Sequence, residues 1–183
     1  MKRKNFWLIL VSVSIFFLAC NAQVKKQTSE WKEFVSEEGN FKVKFPKTPE
    51  QKTRTSPLGD GKIQYPKIEV SLPEIYLSVY FSEVEIMNPL EQNELKNYYD
   101  FLRNQTVQLN NSKLISNRDV FLGENMGHEF IESRDNKFVT YRIYLIKNML
   151  YQLKTEIDSS AKYDNEIKTI SDKFLDSFQI IKN

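Results

Sequence analysis

Between Arg118 and Ile157 the sequence passes through three apolar-rich segments in close succession, and any fold must find partners for all of them. They are Met126-Gly-His-Glu-Phe-Ile-Glu-Ser133, Phe138-Val-Thr-Tyr-Arg-Ile-Tyr-Leu-Ile146 and Leu150-Tyr-Gln-Leu-Lys-Thr-Glu-Ile157, entered from a further strand at Lys113. Short polar turns between them make consecutive antiparallel strands the expected arrangement. Turn length then sets register. An even loop at Asp135-Asn136 places Phe130 against Tyr141 and Glu129 opposite Arg142. For the next turn an odd loop, Lys147-Asn148-Met149, is expected, because it pairs Tyr141, Ile143 and Leu145 with Thr155, Leu153 and Tyr151. A two-residue turn would set Ile143 opposite Gln152 and Tyr141 opposite Lys154, mixing apolar with charged. The Arg142 face also carries Ile131, Phe138 and Tyr144. Both faces are therefore half apolar, and cover on both sides is expected.

The rest of the chain supplies further strands and two helices. Trp31–Val35 and Phe41–Phe45 flank a Gly39-Asn40 turn, and Phe41, Val43 and Phe45 share one face of a hairpin that Pro46 and Pro49 end. Gln51–Thr55 is a short strand, and Pro57–Gly61 is the strongest loop signal. Lys62–Leu72 reads as a weaker strand interrupted by Pro66. Ile75–Phe81 is a strand with Ile75, Leu77, Val79 and Phe81 on one face. Asn88-Pro89-Leu90-Glu91 predicts a helix start, with Asn88 as N-cap and Glu91 reaching back. Leu95, Tyr98, Leu102 and Leu109 then follow helical spacing, widened by Tyr99 and Val107, until Asn110-Asn111. Ser159 or Ser160 can cap a closing helix carrying Tyr163, Ile167, Ile170 and Phe174, and Phe178–Ile181 reads as a terminal strand. The fold class is α+β: an antiparallel β-sheet flanked by helices, an α/β/α sandwich.

The N-terminus has a different character. Lys2-Arg3-Lys4 precedes an apolar run from Phe6 to Ala19, broken only by Ser12 and Ser14, and the run ends at Cys20, the single cysteine. At 1.5 Å per residue the run makes about 21 Å of helix, short of a bilayer core of roughly 30 Å. The pattern resembles a bacterial lipoprotein signal, which implies a thioether-linked diacylglycerol on Cys20 and cleavage just before it. An ordinary secretory signal cut after Ala22, with Cys20 incidental, is the alternative. The chain divides into a signal at 1–19, a lipidated cysteine and tether at 20–29, and one domain at 30–183. Lys2, Arg3 and Lys4 account for three of the 26 basic residues, so the mature chain nearly balances its 24 acidic ones. That balance gives no electrostatic footprint for nucleic acid. No acidic run follows Cys20, and the expected location is the bacterial cell envelope, lipid-anchored and periplasm-facing.

The mature chain also resembles the PsbP-like superfamily and its small secreted bacterial relatives. The resemblance rests on Phe41-Lys-Val-Lys-Phe-Pro46, on the pair Arg142-Ile-Tyr-Leu145 and Leu150-Tyr-Gln-Leu153, and on Phe174 with Ser177-Phe178. It spans roughly Trp31 to Ile181. It implies an antiparallel sheet flanked by helices and a role in binding another macromolecule without catalysis. The superfamily includes a photosystem II extrinsic subunit and a Ran-binding nuclear transport factor. No family site motif is matched, so no binding residue carries over.

Chemistry is sparse. One histidine and a lone cysteine exclude a zinc site of the usual His/Cys kind and a Cys-His pair, and no cofactor is expected. His128 is the main candidate. One register puts Asp119 across from it, giving a His–Asp pair able to act as a base; a register shifted by one puts Val120 there. The plainer reading is a structural histidine at a sheet edge. Arg142 could bind an anion, but a cross-strand pair with Glu129 is the simpler role. The tyrosines Tyr76, Tyr80, Tyr141, Tyr144 and Tyr151 could stack ligands, or simply suit pleated, half-buried positions. The leading expectation is a lipid-anchored, non-catalytic binding or assembly module with a protein partner. The alternative is a small envelope hydrolase or small-molecule binder, with a pocket joining His128, Asp119 and Arg142.

Overall fold

The computed structural model describes residues 30–58, 61–86 and 89–181. In chain order these form β1 (Lys32–Ser36), β2 (Phe41–Phe45), β3 (Glu50–Leu58), β4 (Gly61–Ser71), β5 (Ile75–Glu83), α1 (Gln92–Leu109), β6 (Lys113–Leu122), β7 (Asn125–Arg134), β8 (Lys137–Ile146) and β9 (Met149–Asp158). A 3-10 turn at Ser159–Ala161, α2 (Asn165–Asp176) and β10 (Gln179–Ile180) follow. The strands make a seven-stranded antiparallel sheet, ordered β3-β4-β5-β9-β8-β7-β6, and a three-stranded sheet, ordered β1-β2-β10. Candidate sites falling on 1–29, Cys20 among them, lie outside the described residues, as does the Asn88 cap.

Both faces of the large sheet are covered, but only by halves. On one face Phe41, Val43 and Phe45 of β2, with Ile167, Phe174, Leu175 and Phe178, pack against Ile68, Leu77, Val79, Phe81 and Leu153. On the other face α1 lays Tyr99 over Phe130, Val139, Tyr141, Ile143 and Leu145. The two apolar layers sit diagonally, one over β4, β5 and β9, the other over β7 and β8. The remaining quadrants are polar. This satisfies the expectation of cover on both sides, because alternation sends successive side chains to opposite faces.

The turn after β7 is as expected. Asp135 and Asn136 take φ of 45° and 60°, which matches the twist a two-residue hairpin needs, and Phe130 faces Tyr141 while Glu129 faces Arg142. The next turn is not. Ile146 pairs with Met149 across Lys147-Asn148 alone, so Tyr141 faces Lys154 and Ile143 faces Gln152. Lys147 adopts a left-handed φ of 56° to close it. The objection to that register was a charge placed among apolar groups. It fails because Lys154 holds its ammonium over the Tyr141 ring, 5.7 Å from the centroid, and pairs with Glu156 at the rim of the core.

Other departures have local causes. β4 runs through Pro66 without interruption: β5 pairs with β4 only from Lys67 onward, so the missing N–H of Pro66 interrupts no ladder there. β3 and β4 meet in a long hairpin, Leu58 pairing with Gly61. At the start of α1, Glu91 is itself the N-cap and Glu94 reaches back, its carboxylate accepting from the Glu91 N–H at 2.9 Å. The helix ends at Asn110 as expected, but Leu109 stands 81% exposed instead of joining the stripe. For α2 the cap is Asp164, accepting from the N–H groups of Glu166 and Ile167, and Tyr163 is exposed.

At Gly127 close approach of the neighbouring strand excludes a side chain. Gly127 pairs with Tyr144 across β7 and β8, and a Cβ there would lie 2.4 Å from the Tyr144 ring and 2.5 Å from the Ile143 carbonyl oxygen. Tyr144 in turn stacks on Phe178, with centroids 5.9 Å apart and planes 5° off parallel. Gly127→Ala should therefore lower the unfolding free energy by about 1–3 kcal/mol, as overpacking does. Urea denaturation reads this as a reduced midpoint. An unchanged midpoint would show that the ring yields freely.

Candidate functional site

The alternation that builds the sheet also separates the residues singled out in the sequence. His128 faces α1 and Arg142 faces α2, because their neighbours in the ladder are Ile143 and Glu129. No single concavity can join them, so the pocket expected of His128, Asp119 and Arg142 does not form.

Each candidate has its own surroundings. Asp119 lies across from His128, which selects one of the two registers, and His128 Nδ1 is 3.2 Å from Asp119 Oδ1. His128 is buried, stacked on Tyr99 at 6.1 Å, and its Nε2 has no hydrogen-bond partner among the described residues. It sits one strand in from the edge, which is β6. Tyr99 beside it is fixed at both ends of its hydroxyl: it donates to the Met126 carbonyl at 2.9 Å and accepts from the Leu145 N–H at 2.8 Å. Burial pushes the Tyr99 phenol up to about 12, so it stays a neutral structural pin.

Arg142 is committed to carboxylates. Its Nε and Nη2 meet Glu129 Oε2 at 2.8 and 2.7 Å, and its Nη1 reaches Asp176 Oδ1 of α2 at 2.8 Å. Arg118 takes the other Glu129 oxygen at 2.7 Å. Burial alone would lower the Arg142 pKa, but Asp176 and Glu129 outweigh it and raise it. The expected Glu129–Arg142 pair is present, extended to four side chains that tie β6, β7, β8 and α2 together.

A cleft that the sequence did not disclose lies on the α1 face. It measures about 350 Å³ and opens between the C-terminal end of α1 and the sheet, lined by Tyr65, Tyr80, Asn110, Arg134, Tyr141 and Lys154 among others. Its floor is organised by Glu132, which is fully buried. The Glu132 carboxylate accepts from Asn110 Nδ2 at 2.8 Å, Ser112 Oγ at 2.6 Å and the Tyr141 hydroxyl at 3.2 Å, and pairs with Arg134 Nε at 3.2 Å. Burial and the adjacent Glu132 carboxylate push the Tyr141 phenol well above its ordinary value. Opposite, Tyr65 and Tyr80 sit 5.7 Å apart. Of the five tyrosines noted in the sequence, Tyr80 and Tyr141 line this cleft, whereas Tyr144 and Tyr151 face the other core. Strand alternation was the available signal for that division. Arg134 and Asn110, at the ends of their elements, carried none.

Beyond the cleft, on the same face, Lys67 lies buried beneath the rings of Tyr76 and Tyr80, 4.8 and 5.4 Å from their centroids. Glu69 binds it at 2.5 Å, binds Lys52 at 2.5 Å, and accepts from the Tyr76 hydroxyl. Burial works to raise the Glu69 carboxyl, but Lys52, Lys67 and Tyr76 override it and hold it at about 2. Among the described residues, no group of three or more His, Cys, Asp and Glu is placed to hold a metal ion.

The chain matches no protein-family model and no curated protein in sequence. Its fold does match a solved one. The solution structure of cyanobacterial PsbP (CyanoP) from Synechocystis sp. PCC 6803 superposes with a TM-score of 0.59 at 9% identity, covering 83% of this chain and 93% of that one. The chain therefore has a PsbP-like fold, as the sequence pattern implied.

The depressed Glu69 pKa has a defined consequence for acid stability. A carboxyl held at about 2 instead of the usual 4.5 contributes its full stabilisation above pH 4.5 and loses it as the pH falls toward 2. Glu69→Gln should therefore unfold more readily than the parent at pH 7, with the gap closing progressively below pH 4.5. Denaturation midpoints across that range check this; a gap independent of pH would sink it.

Proposed function

We propose that this protein is a lipid-anchored component of the bacterial cell envelope, facing the periplasm, whose PsbP-like domain binds or assembles with another protein and catalyses no reaction. The observation that carries this reading is where the charged groups go. Arg142 and Glu129 brace α2 against the sheet, and Asp119 holds His128. His128 and Arg142 project from opposite faces. The groups that could have supplied a base and an anion site thus serve the fold. Support also comes from the sequence resemblance, which implies binding without catalysis, and from the apolar-run-to-Cys20 pattern, which supplies an anchor. Several acyl chains at one terminus hold a protein stably at a membrane where a single chain is marginal.

A surface suited to a protein partner exists on β6. It is an edge strand of ten residues, with Phe121 65% and Ile115 47% exposed. An edge of this kind offers unpaired backbone groups and apolar side chains together.

Two measurements test the proposal. Mass spectrometry of the mature protein should find acylated Cys20 as residue one, and Cys20→Ser should release the chain from membranes; a soluble protein beginning after Ala22 would overturn the anchor. Photocrosslinking from Phe121 or Ile115 in intact cells should yield one discrete adduct, the same from both positions. Absence of any adduct from this edge would remove the partner surface.

A further inference from the structure

We infer that the cleft between the end of α1 and strands β4, β5, β7, β8 and β9 is a binding site for a small anion carrying a flat apolar ring, the simplest member of the class being a monocyclic aromatic carboxylate. The size is right for such a ligand, since about 350 Å³ falls at the low end of ligand pockets. The charge is right as well. Both charged side chains of the cleft wall are cations, Arg134 and Lys154, each held from outside the lining by a carboxylate, Glu132 and Glu156.

Arg134 marks where the anion sits. Its Nε is paired to Glu132 at 3.2 Å, and that is the only ion pair its guanidinium makes among the described residues. Nη1 and Nη2 remain for a ligand, and a guanidinium edge fixed on one side is preorganised to grip two oxygens at once. Asn110, Ser112 and Tyr141 engage the Glu132 oxygens from within the fold and fix the carboxylate beside the arginine. The buried carboxylate therefore positions the arginine through Nε and leaves Nη1 and Nη2 without an ion-pair partner among the described residues.

The opposite wall selects the ring. Tyr65 and Tyr80 present inclined rings 5.7 Å apart, and Leu109 and Leu150 supply apolar contact. Leu109 is the residue that departs from the helix stripe to stand in solvent, and a ring seated here would cover it. Gln152 and the amide oxygen of Asn110 remain for polar substituents. This site does not depend on Cys20 or on a partner along β6, none of whose residues line the cleft.

The test is titration of the full chain, in detergent micelles, with benzoate, phenyl phosphate, benzyl alcohol and acetate, read by two-dimensional amide NMR. Benzoate or phenyl phosphate should give saturable shifts clustered at Tyr65, Tyr80, Arg134, Tyr141 and Lys154, and which of the two is tighter identifies the anion. Benzyl alcohol and acetate should bind about tenfold more weakly or worse, each lacking one half of the ligand. Arg134→Ala strips buried Glu132 of its cation and risks the fold, so Tyr80→Leu and Lys154→Met are the working variants. Each should weaken benzoate by about tenfold while leaving the rest of the spectrum in place. The inference is overturned if benzoate and phenyl phosphate give no saturable shift up to roughly 10 mM. It is equally overturned if benzyl alcohol binds as well as benzoate, or if the variants bind like the parent. The Cys20→Ser chain should bind the same probe equally, so failure here leaves the envelope reading intact and the converse also holds.

Discussion

β9 is bonded along both of its edges, to β5 on one side and β8 on the other, and it is the strand that joins the early hairpins to the late meander. Its position along β8 is set by two residues, Lys147 and Asn148. In a sheet the side-chain period is two, so a shift of one residue would turn every β9 side chain to the opposite face. Leu153 and Tyr151 would leave the core they share with Phe41, Val79 and Phe178, and Lys154 would enter it. The left-handed conformation at Lys147 is a small local cost compared with burying that charge. Both apolar layers thus depend on one tight turn.

Half-covering each face has a chemical outcome. A sheet covered entirely on one side and bare on the other would sort its residues into apolar and polar sets. Here the division runs diagonally, so each strand near the middle changes role along its length. Polar quadrants then border apolar ones, and groups such as Glu132, Lys67 and Glu129 are buried beside cores while still reaching partners. Buried charges of this kind are tolerated only when nearly every oxygen and nitrogen has a mate, which is the condition met around Glu132 and Glu129.

Much of this architecture was legible in the residues. Phe41, Val43 and Phe45, the Asp135-Asn136 turn, the pairing of Glu129 with Arg142 and the end of α1 at Asn110 follow from alternation, turn chemistry and capping. The register after β8 was not, because matching apolar residues across the two strands favours the odd loop, whereas Lys154 satisfies its charge at a core margin opposite Tyr141. The cleft was illegible for a related reason. Its cations, Arg134 and Lys154, come from different strands and its other walls from α1 and β4, so only the packing of α1 across the sheet brings them together. His128 and Arg142 drew notice by residue type alone, yet their positions differ by an even number, and it is the opposed direction of neighbouring strands' pairing, through Ile143 and Glu129, that parts them.

The small sheet carries a consequence for how the chain comes into being. β2 lies between the first strand and the last, and Phe178 reaches across to Phe41, Tyr144 and Tyr151 just before β10 closes the ladder. A chain that emerges with its N-terminus leading therefore has its second strand ready long before the segment that seals it exists. Phe41 stays without its lid until Phe178 appears, and domains whose closing piece arrives late keep apolar surface open to solvent in the interval. Completion of the fold is thus gated by β10 and the Phe178 that precedes it.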